Sequence, residues 1–460
     1  MKIYDTLSET KKELSKPEGE LKLFVCGITP YDSAHIGHAR TYIAFDIIVR
    51  YWRSLGWKIF YLQNITDIDD KIIDRARDKK EDWQSYERKF EKNYHDNEKK
   101  LGIISVNKYA RATEHIPQII KQVRTLIDKG YAYKIEGDGY YFDVSKFDDY
   151  GKLAKRTVQQ AEDGISRIDE SSNKRNRGDF ALWKFSKPGE PSWDSPIGEG
   201  RPGWHIEDTA ITEFYFGPQY DVHGGAVDLK FPHHEAEIAQ QEAASGKKPL
   251  VRFWMHTGFL LANGQKMSKS LNNFVTIDDF LNKYPASALR YLVLSHHYRS
   301  PIDYSDNLVA QSIASLNSIQ NFVYKLDYVK KHGNGLKDLS ESVKKSKNDY
   351  RESMDDDFNT SKALASIFEL INAIEPVIWD INSESAAKTS AFIVDSLKTL
   401  GLNLKNSISV PLKIKYLAHR RESARNNKQF MQSDTLRKKI YELGYSVEDT
   451  PLGQFLTKKS

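Results

Sequence analysis

The sequence contains a single cysteine, Cys26, among its 460 residues. One cysteine cannot form a disulfide framework within the chain, and it excludes a zinc site built only from cysteines. Long apolar runs are also missing: no stretch of about 18 consecutive apolar residues occurs, and the mean hydropathy is −0.61. Residues 1–14 carry no apolar segment typical of a secretory signal. These absences predict a cytoplasmic protein without a membrane span.

Charge is nearly balanced overall but uneven along the chain. Lys and Arg exceed Asp and Glu by five in the whole sequence. Residues 401–460 hold 12 Lys and Arg against 5 Asp and Glu, a net charge of +7, which leaves −2 on the first 400 residues. A basic terminal module favours a polyanionic partner such as a nucleic acid, although a solvated basic surface explains the charge equally well.

A strand, a helix and a second strand are predicted near the N-terminus. Residues 21–28 (LKLFVCGI) form an apolar run typical of a buried strand, residues 39–55 place apolar positions on one side of a helix, and residues 58–62 (KIFYL) predict the next strand. A crossover of this size joins parallel strands, and nucleotides bind such sheets at the carboxyl ends of the strands. The pattern therefore predicts an α/β fold with a parallel sheet.

The rest of the chain shows mainly helical patterns. They predict helices over 83–101 and 115–130, a strand over 139–144, a polar loop over 157–177, an irregular Pro- and Gly-rich segment over 187–203, and a mostly helical region over 305–400. Residues from about 115 to 200 are interpreted as an insertion between two halves of the nucleotide-binding sheet.

His35 and His38 flank Gly37 at the junction between the first strand and the helix. Two imidazoles three residues apart near a helix N-terminus can donate hydrogen bonds to phosphate oxygens, and the helix end adds exposed N–H groups. The glycine lets the backbone come close to a ligand. Taken alone, however, the pattern fits a structural pair of histidines better than a ligand site.

Lys266, Lys269 and the hydroxyls of Ser268 and Ser270 follow an Asn-Gly turn at residues 263–264. Two lysines and two hydroxyls in a loop suit a triphosphate, because the lysines can stabilise the charge that develops as phosphate bonds change. A solvated basic loop is the simpler interpretation when the lysines are considered alone.

Together, HIGH at residues 35–38 and KMSKS at residues 266–270 resemble the signature pair of class I aminoacyl-tRNA synthetases. Other segments narrow the resemblance to the cysteinyl-tRNA synthetases. These segments are VCG at 25–27 with Thr29, NITDIDDK at 64–71, DFALWK at 179–184, GWHIE at 203–207, HGG at 223–225, FPHHE at 231–235, HYRSP at 297–301 and EDTP at 448–451. The matches extend over nearly the whole chain.

This resemblance implies an α/β fold: a Rossmann-like catalytic domain with a parallel sheet and an insertion, then a helical bundle and a small anticodon-binding module. The implied regions are 1–115 and 201–255 for the two catalytic halves, 116–200 for the connective insertion, 256–304 for the KMSKS and stem-contact region, 305–400 for the bundle and 401–460 for the basic module. The implied enzyme is a monomeric ligase that activates cysteine with ATP and transfers it to tRNA(Cys).

The resemblance also assigns roles to residues. It implies that His35, His38, Lys266 and Lys269 act on ATP during adenylation, with Mg2+ bound to the nucleotide. Gly27, Thr29, Gly37, Lys269 and Ser270 are implied to bind ATP, and Thr66 and Trp204 to form the cysteine pocket. His205 and His234 resemble a histidine cluster near that pocket. Arg420, Arg421, Arg425, Lys428, Arg437, Lys438 and Lys439 would lie in the module that meets the anticodon arm.

A zinc ion is also implied, on ligands that map onto Cys26, position 208, His233 and Glu237. In the family this metal binds the substrate thiolate, and the soft sulfur donor distinguishes cysteine from serine without an editing domain. Cysteine is usual at position 208, and this chain has Asp208. Three interpretations stay open: Asp208 ligates zinc, the site is free of metal, or zinc uses the other three ligands. We expect the first, because a carboxylate keeps the charge of a thiolate.

Two other functions are compatible with the same residues. A related ligase joins activated cysteine to an aminosugar, but that enzyme needs no basic module like that of residues 401–460. A tRNA-binding paralogue disabled at Asp208 is the second alternative, and the intact histidine and lysine motifs argue against it.

Overall fold

The computed structural model describes residues 1–156, 171, 173–267 and 274–458. The chain divides into two compact units, Met1–Tyr284 with Tyr298–Asp303, and Pro285–His297 with Tyr304–Ser460. Among the described residues, none of the helices has the length and apolar character needed to span a membrane.

The first unit combines parallel and antiparallel sheets with helices. Its strands are β1 (Lys2–Asp5), β2 (Thr10–Glu13), β3 (Glu20–Ile28), β4 (Lys58–Ile65), β5 (Lys108–Arg111), β6 (Ala132–Ile135), β7 (Gly139–Phe142), β8 (Phe180–Phe185), β9 (Gly200–Pro202), β10 (Tyr220–Ala226), β11 (Val251–Thr257), β12 (Leu260–Ala262), β13 (Gln265–Lys266) and β14 (Ile302–Tyr304). Its helices are α1 (Ile36–Ser54), α2 (Asp70–Lys79), α3 (Trp83–Leu101), α4 (Ile116–Asp128), α5 (Ile206–Phe216), α6 (His233–Ser245) and α7 (Ile277–Lys283).

A five-stranded parallel sheet in the order β11-β10-β3-β4-β5 forms the centre of this unit. The predicted strand–helix–strand unit is confirmed as β3, α1 and β4, and β4 continues three residues beyond its predicted end. Leu21, Leu23, Phe24 and Val25 are fully buried, as expected for a parallel strand covered on both faces. Because all five strands run the same way, their carboxyl ends meet at one edge of the sheet.

A four-stranded antiparallel sheet, β6-β7-β8-β9, lies between the two halves of the parallel sheet in sequence. The prediction of an irregular segment over 187–203 is wrong at its end, because the backbone of Gly200–Pro202 pairs with β8. Most of the polar loop predicted over 157–177 lies outside the described residues.

The second unit is mainly helical, which confirms the prediction for residues 305–400. Its helices are α8 (Ala286–Leu294), α9 (Asp306–His332), α10 (Ser340–Asp355), α11 (Thr360–Ile374), α12 (Ser383–Thr399), α13 (Leu412–Asn426) and α14 (Phe430–Glu442), and its strands are β15 (Tyr445–Thr450) and β16 (Gly453–Lys458).

The last two helices and the β15–β16 hairpin share a small apolar core of their own. Ile414 and Leu417 from α13 pack there with Leu436 and Ile440 from α14 and Val447 from β15. A separate core is what a terminal module needs in order to fold as a unit around its own elements.

Candidate active site and metal cluster

A cleft of about 420 Å³ opens at the carboxyl edge of the parallel sheet, which is where such sheets bind ligands. Most of the residues singled out from the sequence line it: Cys26, Gly27, Thr29, His35, Gly37, His38, Thr66, Trp204, Asp208 and His233. Glu237 lies close beneath, fully buried. The tertiary fold thus brings together residues that are up to about 210 positions apart in the chain.

His35 and His38 form a fixed pair at the first turn of α1. The Nδ1 atom of His35 accepts the backbone N–H of His38, and the Nδ1 atom of His38 accepts that of His35, both at 3.3 Å. The two rings stack with centroids 3.7 Å apart. Because a backbone N–H can only donate, each Nδ1 must be the unprotonated nitrogen, and a neutral ring then carries its proton on Nε2. Both histidines therefore present an N–H donor from the far side of the ring.

Gly27 and Gly37 are required by close contacts. A Cβ atom at Gly37 would lie 2.7 Å from the His35 ring, and one at Gly27 would lie 1.7 Å from the backbone oxygen of Asn64. Glycine at position 37 thus allows the His35 ring to fold back over the first turn of α1, and glycine at position 27 allows β3 and β4 to approach at the cleft.

The lysine-rich segment is described only at its ends. Lys266 ends the short strand β13, which pairs with β12, whereas Lys269 and Ser270 lie outside the described residues. Met267 and Phe274, on either side of the segment, both line the cleft. The Phe274 ring meets the His35 ring edge-on at 5.1 Å.

Four buried side chains from three elements converge below the cleft. Cys26 comes from β3, Asp208 from the first turn of α5, and His233 and Glu237 from α6. His233 is the first residue of α6, and Pro232 precedes it as the N-cap residue. Because His233 and Glu237 are four residues apart, they share one face of the helix.

The spacing of the ligand atoms of Cys26, Asp208, His233 and Glu237 fits tetrahedral coordination of a metal ion. Their ligand atoms all lie within 4.8 Å of one another. The Cys26 sulfur is 3.5 Å from Asp208 Oδ2 and 3.8 Å from Glu237 Oε1, and His233 Nε2 is 3.0 Å from Asp208 Oδ2 and 3.4 Å from Glu237 Oε1. Metal–ligand bonds of about 2.0–2.3 Å would separate tetrahedral ligands by about 3.3–3.8 Å. Four side chains of this kind can therefore hold a metal ion.

The electrostatics of the cluster also favour a cation. Burial, followed by the nearby carboxylates of Glu237 and Asp208, raises the pKa of the Cys26 thiol well above its usual value. Burial and then Asp208 raise the pKa of Glu237. Glu237 Oε2 also has no hydrogen-bond partner among the described residues. Buried acids without compensation are costly, and a bound cation relieves that cost.

Two further histidines reach the same sulfur. His223 Nε2 lies 3.4 Å and His234 Nε2 3.1 Å from Cys26 Sγ, and these two rings form a second possible ligand set with Cys26 and Glu237. Burial, followed by repulsion from neighbouring imidazoles, lowers the pKa of both rings. They are therefore neutral, and each is oriented through its Nδ1 atom, by Tyr220 at 2.7 Å and His256 at 2.8 Å.

Aromatic stacking orients the histidine of the first ligand set. The Trp204 ring lies parallel to the His233 ring, with centroids 4.5 Å apart. His205 Nδ1 lies 2.7 Å from His233 Nδ1, and burial lowers the pKa of His205 well below its usual value. Trp204 thus contacts a candidate metal ligand as well as forming part of the wall of the cleft.

Three residues near the site, Asn64, Glu207 and His223, lie in the motifs named above but have no role predicted from the sequence. Asn64 donates to Asp208 Oδ1 at 2.5 Å, and Thr66 donates to the buried carboxylate of Glu207. His223 is the third. Asn64 is the second-to-last residue of β4 and His223 lies in the middle of β10, and both strands pair with β3. A place near the carboxyl end of a parallel strand is the sequence signal that could have identified Asn64.

One basic residue of the terminal module, Arg421, forms its hydrogen bonds within the module. The Arg421 side chain is 2% exposed and donates to both carboxylate oxygens of Asp449 at 2.7 Å. Arg421 therefore stabilises the module and presents no charge to a partner. The neighbouring Arg420 side chain is exposed.

Comparisons with known families match almost the whole chain. The family described as tRNA synthetases class I (C) catalytic domain matches residues 13–314, and the DALR domain matches residues 349–405. The chain is 42% identical over 473 residues to a protein of Thermococcus gammatolerans named Cysteine--tRNA ligase, with 98% of each chain covered. A protein of the same name from Hahella chejuensis is 42% identical over 468 residues, again with 98% of each covered.

Solved structures support the same fold. A methionyl-tRNA synthetase of Mycobacterium tuberculosis in complex with methionyl-adenylate superposes with a TM-score of 0.61 at 16% identity, covering 83% of this chain and 89% of that one. A putative arginyl-tRNA synthetase from Campylobacter jejuni gives a TM-score of 0.57 at 13% identity, with 85% and 95% covered. At these identities the likeness concerns the fold alone.

Proposed function

The chain belongs to the cysteine–tRNA ligase family of class I aminoacyl-tRNA synthetases, and we propose that its cleft carries out the two steps of that reaction with the residues named below. In the first step a carboxylate oxygen of cysteine attacks the α-phosphate of ATP, and the bond to the β-phosphate breaks to release pyrophosphate. In the second step a ribose hydroxyl at the 3′ end of tRNA(Cys) attacks the cysteinyl carbonyl, and AMP leaves.

His35 and His38 bind the phosphates of ATP. The support is their bonding pattern, because both Nδ1 atoms accept backbone N–H groups, which makes Nε2–H the donor of each neutral ring. The N-terminus of α1 adds a favourable dipole for an anion. Gly27, Thr29 and Gly37 line the same cleft, and we assign them to the binding of ATP.

Lys266, Lys269 and Ser270 complete the phosphate site, with Mg2+ carried by the nucleotide. Met267 and Phe274, which flank the segment, both line the cleft, so the segment begins and ends beside it. Charge stabilisation by preorganised cations is the main contribution that a protein makes to phosphoryl and adenylyl transfer.

Zinc is the metal that suits the cluster of Cys26, Asp208, His233 and Glu237. The observation that carries this proposal is the convergence of one sulfur, one imidazole nitrogen and two carboxylate oxygens within 4.8 Å. When bound, zinc would supply a soft Lewis acid that takes the substrate sulfur as a thiolate and discriminates against the serine hydroxyl. The chain's own residues neutralise and hold the cation, and Trp204 keeps the His233 ring in place.

Thr66 and Trp204 bound the pocket for the cysteine side chain. Both line the cleft beside Asp208 and His233, which leaves space for a small side chain between an aromatic wall and the cluster. The basic module of residues 401–460 contacts the anticodon arm of the tRNA, where unpaired bases can be stacked and read at their edges. We expect the enzyme to act as a monomer in the cytoplasm, where its substrates are found.

Metal analysis and cysteine-dependent pyrophosphate exchange test this proposal together. We expect one zinc per chain in the purified protein and at least a tenfold weaker zinc affinity in the Asp208→Asn variant, because the variant removes one of the negative donors. Asp194→Asn, which changes an exposed acid of the same unit, is the matched control and should change neither quantity. Full cysteine activation by protein without zinc would contradict the proposal.

A further inference from the structure

Asp208 uses its two carboxylate oxygens for different contacts. Oδ2 faces the candidate ligands, 3.5 Å from Cys26 Sγ and 3.0 Å from His233 Nε2. Oδ1 points the other way and accepts a hydrogen bond from Asn64 Nδ2 at 2.5 Å. The Asp208 side chain is fully buried, so no bulk water can take the place of the amide donor.

The orientation of the Asn64 amide is fixed by a second contact. The backbone N–H of Gly27 donates to Asn64 Oδ1 at 2.6 Å. Because that N–H needs an acceptor, the oxygen of the amide must face Gly27 and the nitrogen must face Asp208. Asn64 itself belongs to β4 and is paired in register with Ala110 of β5, so the donor is held by the sheet.

We propose that Asn64 is a positioning residue that makes Asp208 a ligand through Oδ2 alone. By occupying Oδ1, the amide prevents the carboxylate from chelating the cation with both oxygens and leaves room on the ion for the substrate sulfur. It also disperses part of the negative charge of Asp208 in a cluster that already contains Glu237 and Cys26. This inference rests on the proposed zinc site.

In this chain the amide bonds an oxygen of Asp208 other than the one that faces the candidate ligands. A cysteine at position 208 would offer a single sulfur, which would have to bind the metal and accept the amide hydrogen bond at the same time. Asn64 should therefore matter for metal binding in this chain and much less in a variant with sulfur at position 208. Such a dependence is a coupling between two positions, which a double-mutant cycle measures directly.

The experiment uses the full-length protein and four chains: the parent, Asn64→Ala, Asp208→Cys and the double variant. Zinc affinity is measured by competition with a chromogenic chelator, and the geometry of the site by the visible spectrum of the Co2+-substituted protein. We expect Asn64→Ala to weaken zinc binding by about 10–100-fold and to change the Co2+ spectrum, because supporting hydrogen bonds contribute on this scale. In the Asp208→Cys background the same change should cost under about threefold.

The Asp208→Cys background guards against a general folding defect. Asn64 also accepts the Gly27 N–H and donates to Thr66 Oγ1 at 3.3 Å, and the loss of these contacts would lower the zinc affinity equally in both backgrounds. Equal losses from Asn64→Ala in both backgrounds, or an unchanged affinity and Co2+ spectrum, would overturn the inference. A parent protein that binds no zinc would instead overturn the proposed metal site.

Discussion

Gly37→Ala should remove most of the adenylation activity without loosening the fold. A Cβ at this position would lie 2.7 Å from the His35 ring, whereas ordinary contact begins at 3.4 Å, so the ring must move by about 0.7 Å. That movement disturbs both the Nδ1 hydrogen bond to the His38 backbone at 3.3 Å and the stacking of the two rings at 3.7 Å. We therefore expect the Nε2–H donor of His35 to miss its phosphate oxygen.

The expected loss is large because a misplaced donor no longer stabilises the charge that develops on the phosphate oxygens in the transition state. Removing one preorganised donor lowers kcat by about 10²–10³-fold. The free energy of unfolding should change little. Gly37 lies in the first turn of α1 and has no left-handed backbone, so alanine gains up to about 1 kcal/mol in helix propensity, and the disturbed N-cap hydrogen bond of His35 costs about as much.

Cysteine-dependent pyrophosphate exchange, with kcat and the KM for ATP measured separately, tests this prediction. Gly19→Ala is the matched control, since a Cβ there meets no atom within 4 Å, and it should leave the rate unchanged. Zinc content should also stay the same in both variants. A Gly37→Ala enzyme with nearly the parent kcat would refute the assignment of His35 to the phosphates.

Two further predictions concern stability and tRNA binding. Burial, followed by repulsion from Glu91, raises the pKa of Glu87 to about 8 from 4.5. Between these two pH values Glu87 is ionised in the unfolded chain but protonated in the folded one, so the free energy of unfolding falls as the pH rises. Glu87→Gln should therefore flatten the dependence of the melting temperature on pH. Equal slopes for parent and variant would contradict this. Arg421→Met should destabilise the terminal module by about 1–2 kcal/mol, which is less than for a fully buried ion pair because Asp449 is partly exposed. Arg420→Met should leave the stability unchanged and lower the salt dependence of tRNA binding by about one phosphate contact. Thermal melts and binding isotherms at several salt concentrations separate the two variants, and the reverse pattern would show that Arg420 and not Arg421 is structural.

Local patterns in the sequence were sufficient to predict the strands and helices around the cleft. The apolar run of β3 and the amphipathic pattern of α1 are determined by neighbouring residues, and α3 occupies the predicted residues 83–101. Strand β9 was missed, because a strand of three residues owes its existence to pairing with β8 and not to its own composition.

The sequence by itself determined the α/β class, the order of the main elements and, through its motifs, the family. Only the tertiary structure decided which atoms meet. Cys26 and Asp208 are separated by more than 180 positions, and no local pattern records that Asn64 donates to one oxygen of Asp208 while the other faces the cluster. Charge counts likewise could not distinguish the buried Arg421 from the exposed Arg420. Periodicity reports on a residue's neighbours along the chain, whereas coordination and burial depend on distances that exist only after the sheet and helices have packed.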